Sequence, residues 1–293
     1  MNFRFIKVVI IQVIMFIKLI PKYITFKNNK NNVSLEEIYD EIRNHTKKTL
    51  KSMGVEVSVK GYENLPKDTN VLFIANHSNW VDGLILPSIV DRPTGMIIAK
   101  EANWEKFKII DGWLKLFNCV YIDRKNNREG LKSIQKATYI LKNTSSIGIF
   151  PEGMVTRNNE LVEFKDGAFR MAIKSKVPVI QVVIRNSKDI YVPKGRWYGK
   201  ITKAYVEVEI LPSIISHINN PKMKTKELSN IAYNILFTDK SLTEIAAINK
   251  IDYTKTKTIM DKAFRNLKMK SKLVRSRYLE LKEARIEDNI ISS

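Results

Sequence analysis

Cysteine and histidine are both scarce in this sequence, and the shortage excludes several kinds of site. A single cysteine cannot form an internal disulfide, so the chain suits a reducing compartment. One cysteine and three scattered histidines cannot supply the clustered ligands of a usual metal site, so we predict no bound metal. Cys119 lies in the apolar run 119–122, and we interpret it as a small buried residue rather than a nucleophile.

An apolar run long enough to cross a membrane cleanly is missing near the N terminus, where a membrane segment would be expected. Residues 8–17 are interrupted only by Gln12, and ten residues of helix cover ~15 Å, about half of the ~30 Å hydrocarbon core. We therefore predict a helix that lies in the membrane interface. A secretory signal and an ordinary core helix are the alternatives, although no small-residue cleavage site follows. Basic residues flank the run on both sides: Arg4, Lys7, Lys18 and Lys22.

Basic residues outnumber acidic ones strongly, and this imbalance concerns partners rather than fold. Fifty Lys and Arg against thirty Asp and Glu give a net charge of +20. The partners that such a charge attracts are anionic: phospholipid headgroups, phosphorylated substrates, an acidic carrier protein or nucleic acid.

Strand and helix patterns alternate along most of the chain. This alternation predicts an α/β fold with a mainly parallel central sheet of about seven strands covered by helices. Ser34 and Glu37 form a capping box that opens the second of two N-terminal helices, the first being the amphipathic interfacial one. The predicted strands are 55–59, 71–75, 96–99, 120–122, 147–150, 177–184 and 205–211, and the main helices are 80–90, 131–141 and 224–237.

These patterns divide the chain into three parts. We predict membrane-associating helices over residues 1–53, a catalytic α/β domain over 54–237 and a basic helical extension over 238–293. A further helix before residue 118 is rich in large apolar residues, which we interpret as core, with the lining of a substrate tunnel as the alternative. These residues are Trp104, Phe107, Ile109, Ile110, Trp113 and Leu116.

The most informative segment follows the buried strand 71–75 and contains His77 and Asp82. Ligands bind at the carboxyl ends of strands in open α/β sheets, which is where His77 lies. A spacing of five residues separates the two side chains on a continuous helix, so they can meet only if the chain turns sharply between strand and helix. Asp82 would then hold the imidazole so that Nε2 can take a proton from a hydroxyl. No nucleophilic serine or cysteine motif accompanies the pair, which favours direct attack on a thioester. His45 and His217 are interpreted as structural.

The segment with His77 and Asp82 is the first of five sequence motifs that stand in order along the chain. They are Asn-His-x-x-x-x-Asp at 76–82, an apolar strand ending in Asp-Arg at 121–124, Phe-Pro-Glu-Gly at 150–153, Phe-Lys-Asp-Gly-Ala at 164–168 and a Val-Pro strand at 177–180. Together these blocks make the chain resemble the glycerolipid acyltransferase family typified by bacterial 1-acylglycerol-3-phosphate acyltransferase. Two departures stand out: Asn118 replaces a common glycine, and the third block continues Met154-Val155-Thr156-Arg157 instead of Thr-Arg-Ser.

The resemblance implies an O-acyltransferase that moves a fatty acyl group to the free hydroxyl of 1-acylglycerol 3-phosphate (lysophosphatidic acid), forming phosphatidic acid. The acyl-CoA or acyl carrier protein thioester would be a co-substrate, with no further cofactor. It also implies a peripheral or monotopic protein on the cytoplasmic face of the cell membrane, with membrane lipid as a partner. Catalytic roles fall to His77 and Asp82. The substrate-binding roles fall to Arg124, Glu152, Gly153, Lys100, Arg157 and Lys165.

Two other functions stay open. The acceptor could be glycerol 3-phosphate or a lyso-aminolipid. Residues 241–268 also resemble the helix-turn-helix of bacterial sigma factors, although Lys250 stands at the usual turn glycine. We favour an amphipathic helical pair there and expect no specific nucleic-acid partner.

Overall fold

The computed structural model describes residues 3–28, 34–156, 162–193 and 199–238. The helices are α1 (Phe3–Asn28), α2 (Leu35–Met53), α3 (Asp82–Ile89), α4 (Lys108–Leu116), α5 (Asn127–Asn143), α6 (Gly167–Ser175), α7 (Ser216–Asn219) and α8 (Thr225–Thr238). The strands are β1 (Val55–Lys60), β2 (Leu72–Ala75), β3 (Thr94–Ala99), β4 (Val120–Ile122), β5 (Ser146–Ile149), β6 (Val179–Arg185), β7 (Tyr191–Pro193), β8 (Gly199–Ile201) and β9 (Ala204–Ile210). Arg157 and the stretch 241–268, which resembles a helix-turn-helix and which we predict to be an amphipathic helical pair, lie outside the described residues.

Seven strands form one sheet in the order β1-β9-β6-β2-β5-β3-β4. All neighbours pair in parallel except β6 and β9, which pair antiparallel. The prediction of an α/β fold with about seven mainly parallel strands is therefore confirmed. β2 lies at the centre, and its four residues are fully buried because both faces of the sheet are covered.

Two hydrophobic cores lie on opposite faces of the sheet. Leu72 and Ile74 of β2 point into the core formed with α5, α6 and α8. Phe73 and Ala75 point into the core formed with α1 to α4. Because successive strand residues alternate between faces, the continuously apolar strand serves both cores at once and fixes where its carboxyl end lies.

The second N-terminal helix begins as predicted, and the first packs against it. Ser34 and Glu37 make the predicted capping box, with both hydrogen bonds present. Gln12 of α1, the polar interruption of the apolar run, donates a 2.9 Å hydrogen bond to Thr49 of α2. None of the helices in the described part of the chain is long and apolar enough to cross a membrane.

The structure corrects the sequence-based elements in two places. β7 and β8 form a separate two-stranded antiparallel sheet that the sequence analysis did not predict, since strands of three residues carry almost no periodic signal. The apolar helix before residue 118 is also not continuous. It is a 3₁₀ turn, Trp104–Lys106, followed by α4, because Phe107 between them leaves the helical region of backbone space.

Candidate active site

A sharp turn links β2 to α3 and carries His77. Asn76 follows β2, where the backbone hydrogen bonds of the sheet end. Its side-chain amide takes their place by donating to Ile184 O at 2.8 Å and accepting from Ile184 N at 2.7 Å. The Asn79 amide then donates to the carbonyls of Lys188 and Tyr191 at 2.7 and 2.9 Å. These side chains stabilise the turn by taking the hydrogen bonds that a strand or helix would otherwise satisfy.

This turn brings His77 and Asp82 together as predicted. His77 Nδ1 lies 3.1 Å from Asp82 Oδ2, and the backbone N–H groups of Ser78 and Asn79 donate to the same oxygen at 2.7 and 2.8 Å. Asp82 is fully buried at the first position of α3. A carboxylate so placed accepts the Nδ1 proton of the neutral imidazole, which leaves the Nε2 lone pair available as a base.

The imidazole plane is fixed by an aromatic neighbour. The His77 ring stacks on Phe150, with centroids 4.0 Å apart and planes inclined by 13°. The His77 side chain is 16% exposed to solvent, and it lines a cavity. Packing on Phe150 and the contact with Asp82 together allow His77 one ring orientation.

The backbone of His77 is held by the third sequence block. Glu152 Oε1 accepts from His77 N at 2.9 Å, while the N–H and hydroxyl groups of Thr156 both lie 2.9 Å from His77 O. Glu152 is buried, and this burial raises the pKa of its carboxyl, against the opposing effect of hydrogen bonds with His77 N and Thr156. The sequence analysis missed Thr156. A signal for it was present in the sequence. The family usually has Thr-Arg directly after the glycine of this block, and here Thr156-Arg157 follows Gly153 after two additional residues, Met154 and Val155.

The predicted phosphate-binding residues lie along the neighbouring strand ends. Arg124 follows β4, donates to Gly153 O and lies 3.4 Å from a carboxylate oxygen of Glu101. Lys100 lies 3.9 Å from Asp123. Each of these cations is therefore partnered by an acid that an incoming phosphate would have to compete with.

Gly153 and Lys165 complete this edge of the site. Gly153 has φ 73°, the left-handed region in which a glycine is least strained, and the Lys165 side chain passes close to it. Lys165 N donates to Pro151 O at 2.8 Å, which places the exposed lysine beside the third block. Asn118 likewise has φ 60°, so an asparagine supports the left-handed turn at the family's usual glycine.

A cavity of about 730 Å³ opens beside His77 between the sheet and helices α1 to α4. Its walls are mostly apolar and include Val8, Leu84, Met96, Trp113 and Phe117. Trp104, Ile110 and Trp113 of the apolar segment line it, as the tunnel alternative requires, while the role of this cavity as an acyl tunnel stays a prediction. The core interpretation holds for Trp113 but is wrong for Trp104, Phe107 and Ile109, which are exposed.

The cavity wall also contains Cys119. Burial raises the pKa of this thiol to about 12, as expected for a small core residue rather than a nucleophile. His217 is buried and contacts Val177 O at 2.8 Å through Nε2, beside the core formed with α5, α6 and α8, as expected for a structural histidine. In the described residues no group of His, Cys, Asp and Glu is arranged to hold a metal ion.

Comparison with known proteins identifies the family to which the sequence and fold correspond. A family model described as Acyltransferase matches residues 56–185. A Mycoplasma pneumoniae protein named "Probable 1-acyl-sn-glycerol-3-phosphate acyltransferase" is 34% identical over 188 residues, which cover 61% of this chain and 68% of that protein. The chain belongs to the acyltransferase family. The matched region runs from β1 to the end of β6 and contains all the sequence blocks, so the resemblance read from the motifs is confirmed.

Other relatives of this acyltransferase-family chain are more distant. The 1-acyl-sn-glycerol-3-phosphate acyltransferase of Saccharomyces cerevisiae is 30% identical over 165 residues, and the human alpha form is 26% identical over 162 residues. These matches cover 55% of this chain and 52% and 56% of the relatives, so the chain spans about half the length of both.

The crystal structure of the 1-acyl-sn-glycerophosphate (LPA) acyltransferase from Thermotoga maritima superposes with a TM-score of 0.61. It covers 78% of this chain and 92% of that chain at 22% identity, which establishes a common fold.

Proposed function

We propose that this protein transfers a fatty acyl group from a thioester to the free hydroxyl of 1-acylglycerol 3-phosphate, forming phosphatidic acid. The observation that carries the proposal is the His77–Asp82 pair, in which Nδ1 contacts the carboxylate and His77 lines a cavity of largely apolar walls. Such a site joins a base to a space suited to an acyl chain. The names of the relatives support the choice of acceptor.

The proposed reaction uses one base and no acyl-enzyme. His77 Nε2 removes the acceptor hydroxyl proton as the oxygen attacks the thioester carbonyl carbon. The new C–O bond forms, the C–S bond breaks, and the imidazolium returns the proton to the leaving thiolate. The buried Asp82 carboxylate stabilises the transient imidazolium.

Three cations are proposed to bind the acceptor phosphate: Arg124, Lys100 and Lys165. Arg124 is the strongest candidate because its planar fork can bind two phosphate oxygens, whereas each lysine is a point charge. Its contact with Gly153 O ties it to the block that holds His77. Glu152, for which we predicted a glycerol-hydroxyl contact or an arginine-orienting role, contacts the His77 backbone in this structure.

We also propose that the protein binds the cytoplasmic face of the membrane through α1. The helix exposes a stripe of large apolar side chains to solvent, and lysines precede and follow that stripe. Apolar insertion and attraction to anionic headgroups act together on such a helix. The exposed apolar residues are Val9, Ile10, Val13, Ile14 and Ile17.

The test is an acceptor assay with the purified full chain. Acyl-CoA and acyl carrier protein thioesters are each offered with lysophosphatidic acid, glycerol 3-phosphate or a lyso-aminolipid, and the lipid products are separated. We expect phosphatidic acid from lysophosphatidic acid as the main product, and only a trace of it from His77→Ala. Preferred acylation of another acceptor would reject this substrate assignment.

Arg124→Ala tests the phosphate assignment in the same assay. We expect the KM for lysophosphatidic acid to rise about tenfold or more with a smaller change in kcat, because a charged hydrogen bond worth about 1.5–3 kcal/mol is lost. An unchanged KM would show that cations other than Arg124 bind the acceptor phosphate.

A further inference from the structure

Large apolar side chains are exposed in the segment between β3 and α4. Trp104, Phe107 and Ile109 keep 41%, 54% and 40% of their surface in solvent. Trp104 lies against Phe107, with ring centroids 6.2 Å apart. Adjacent exposed aromatic and aliphatic groups in a soluble protein mark a contact surface, because water does not favour such a patch. We call residues 104–109 the aromatic ledge.

The aromatic ledge adjoins the mouth of the cavity. Residues that both line the cavity and are exposed mark its opening, and they are all apolar: Val9, Val13, Trp80, Ala102 and Trp104. This rim therefore combines α1, the His77 turn and the start of the aromatic ledge. An opening in which the exposed wall is apolar on these three sides is suited to hydrocarbon rather than to water.

Packing holds the ledge and α1 together. Tyr23 and Phe26 of α1 pack on Trp113 of α4, with ring centroids 5.7 and 5.9 Å away. Gly112 makes room for the Tyr23 ring, since a side chain there would overlap it. The exposed stripe of α1 and the aromatic ledge consequently flank one opening as parts of a single packed unit.

The charges at the ledge favour a lipid surface over a protein partner. Lys106 and Lys108 stand on either side of Phe107, and both are exposed. Glu105 is the acid within the ledge, and the following acid, Asp111, pairs with Lys115 at 2.6 Å. Lysines beside inserted aromatic groups can bind headgroups while their stems follow the apolar surface.

We propose that the aromatic ledge is a second membrane-contacting element, which inserts beside α1 and presents the cavity mouth to an anionic bilayer. This inference rests on the proposed function for the role of the cavity, because a lipid acceptor and its acyl chain would then enter directly from the membrane. Two anchors on either side of the opening fix its orientation, which one helix alone cannot do.

The test compares Phe107→Ser/Ile109→Ser with wild type. Neither side chain belongs to the cavity wall, so membrane contact and catalysis can be separated. In sedimentation with phosphatidylglycerol–phosphatidylcholine vesicles we expect partitioning to weaken by roughly tenfold. Activity on detergent-dispersed lysophosphatidic acid should remain within about twofold of wild type, since the site is untouched.

A matched control is Tyr139→Ser/Tyr205→Ser, which removes two aromatic residues from α5 and β9 that are at least as exposed as Phe107 and Ile109. We expect its vesicle binding to equal that of wild type. Phe107→Ser alone provides a second, milder variant, and thermal unfolding verifies that each protein is folded.

Equal vesicle binding by wild type and the folded ledge variant would overturn the inference. So would a wild-type dimer in light scattering that the ledge substitutions dissociate, because the patch would then belong to a second copy. Failure of the proposed function is distinguishable: ledge-dependent vesicle binding would persist in a protein that acylates no lysolipid.

Discussion

At the scale of single residues, His77 is held from four sides. Asp82 and Phe150 fix its ring, while Glu152 and Thr156 fix its backbone. Positioning of this kind matters because a general base acts only within hydrogen-bond reach of the proton it removes.

His77→Ala should lower kcat/KM by about 10²–10⁴-fold, the usual contribution of a general base. Asp82→Asn should also be severely impaired, because the amide no longer stabilises the imidazolium. Initial rates and thermal unfolding of the same preparations check both variants. Wild-type turnover in either folded variant would remove the proposed mechanism.

Thr156→Val should lower kcat by roughly tenfold with little change in KM, because the hydroxyl that contacts His77 O is lost while the shape is kept. Thr156→Ser is the matched control and should restore turnover, since it keeps the hydroxyl. Equal turnover in the valine and serine variants would show that the backbone N–H of Thr156 is sufficient.

Glu152→Gln should change how stability depends on pH. Burial raises the pKa of the Glu152 carboxyl above its ordinary 4.5, so the folded state disfavours the charge. Below 4.5 both states of the wild type are protonated. As pH rises, the unfolded chain ionises first and wild-type stability falls relative to the neutral amide variant. The Tm difference, Gln variant minus wild type, should therefore increase from pH 4.5 to pH 7 in thermal unfolding. A decrease would show that the ionised carboxylate stabilises the fold.

At the scale of elements, α1 combines two tasks on two faces. One face covers the cavity through Val8 and Gln12, the other exposes Ile10, Ile14 and Ile17, and Val9 and Val13 lie at the boundary between them. Removing residues 1–30 should release the protein from anionic vesicles, but it would also uncover the cavity. Substitution of the exposed face separates the two effects.

Ile10→Ser/Ile14→Ser/Ile17→Ser should weaken vesicle binding strongly while leaving activity on detergent-dispersed substrate. These three side chains are exposed and do not line the cavity. Vesicle sedimentation at low and high salt measures the effect. Retention of the variant on vesicles at high salt would assign the anchor to another surface.

At the scale of the whole molecule, the charge of +20 attracts polyanions of any kind. We expect the full-length protein to bind duplex DNA weakly, without sequence preference, and to lose that affinity between low and physiological salt as phosphate-only contacts require. Filter binding across a salt series checks this. One enriched motif from a random duplex pool, retained at physiological salt, would instead indicate a DNA-reading extension in residues 238–293.

The sequence by itself determined the sheet, the His77–Asp82 turn and the family. Local signals were sufficient there, because strand 71–75 is apolar without interruption and the blocks follow in a fixed order along the chain. Ser34 and Glu37 act over three residues, so their capping box could also be read directly.

Tertiary structure decided what depends on residues far apart in sequence. Thr156 contacts His77 across 79 positions, and the cavity is enclosed by α1, α2, α3, β3 and α4 together. The pattern of Trp104, Phe107 and Ile109 is that of a buried helix, yet these residues are exposed. Periodicity records which side chains are apolar, whereas only the packing of α1 against α4 determines which of them meet protein and which meet solvent.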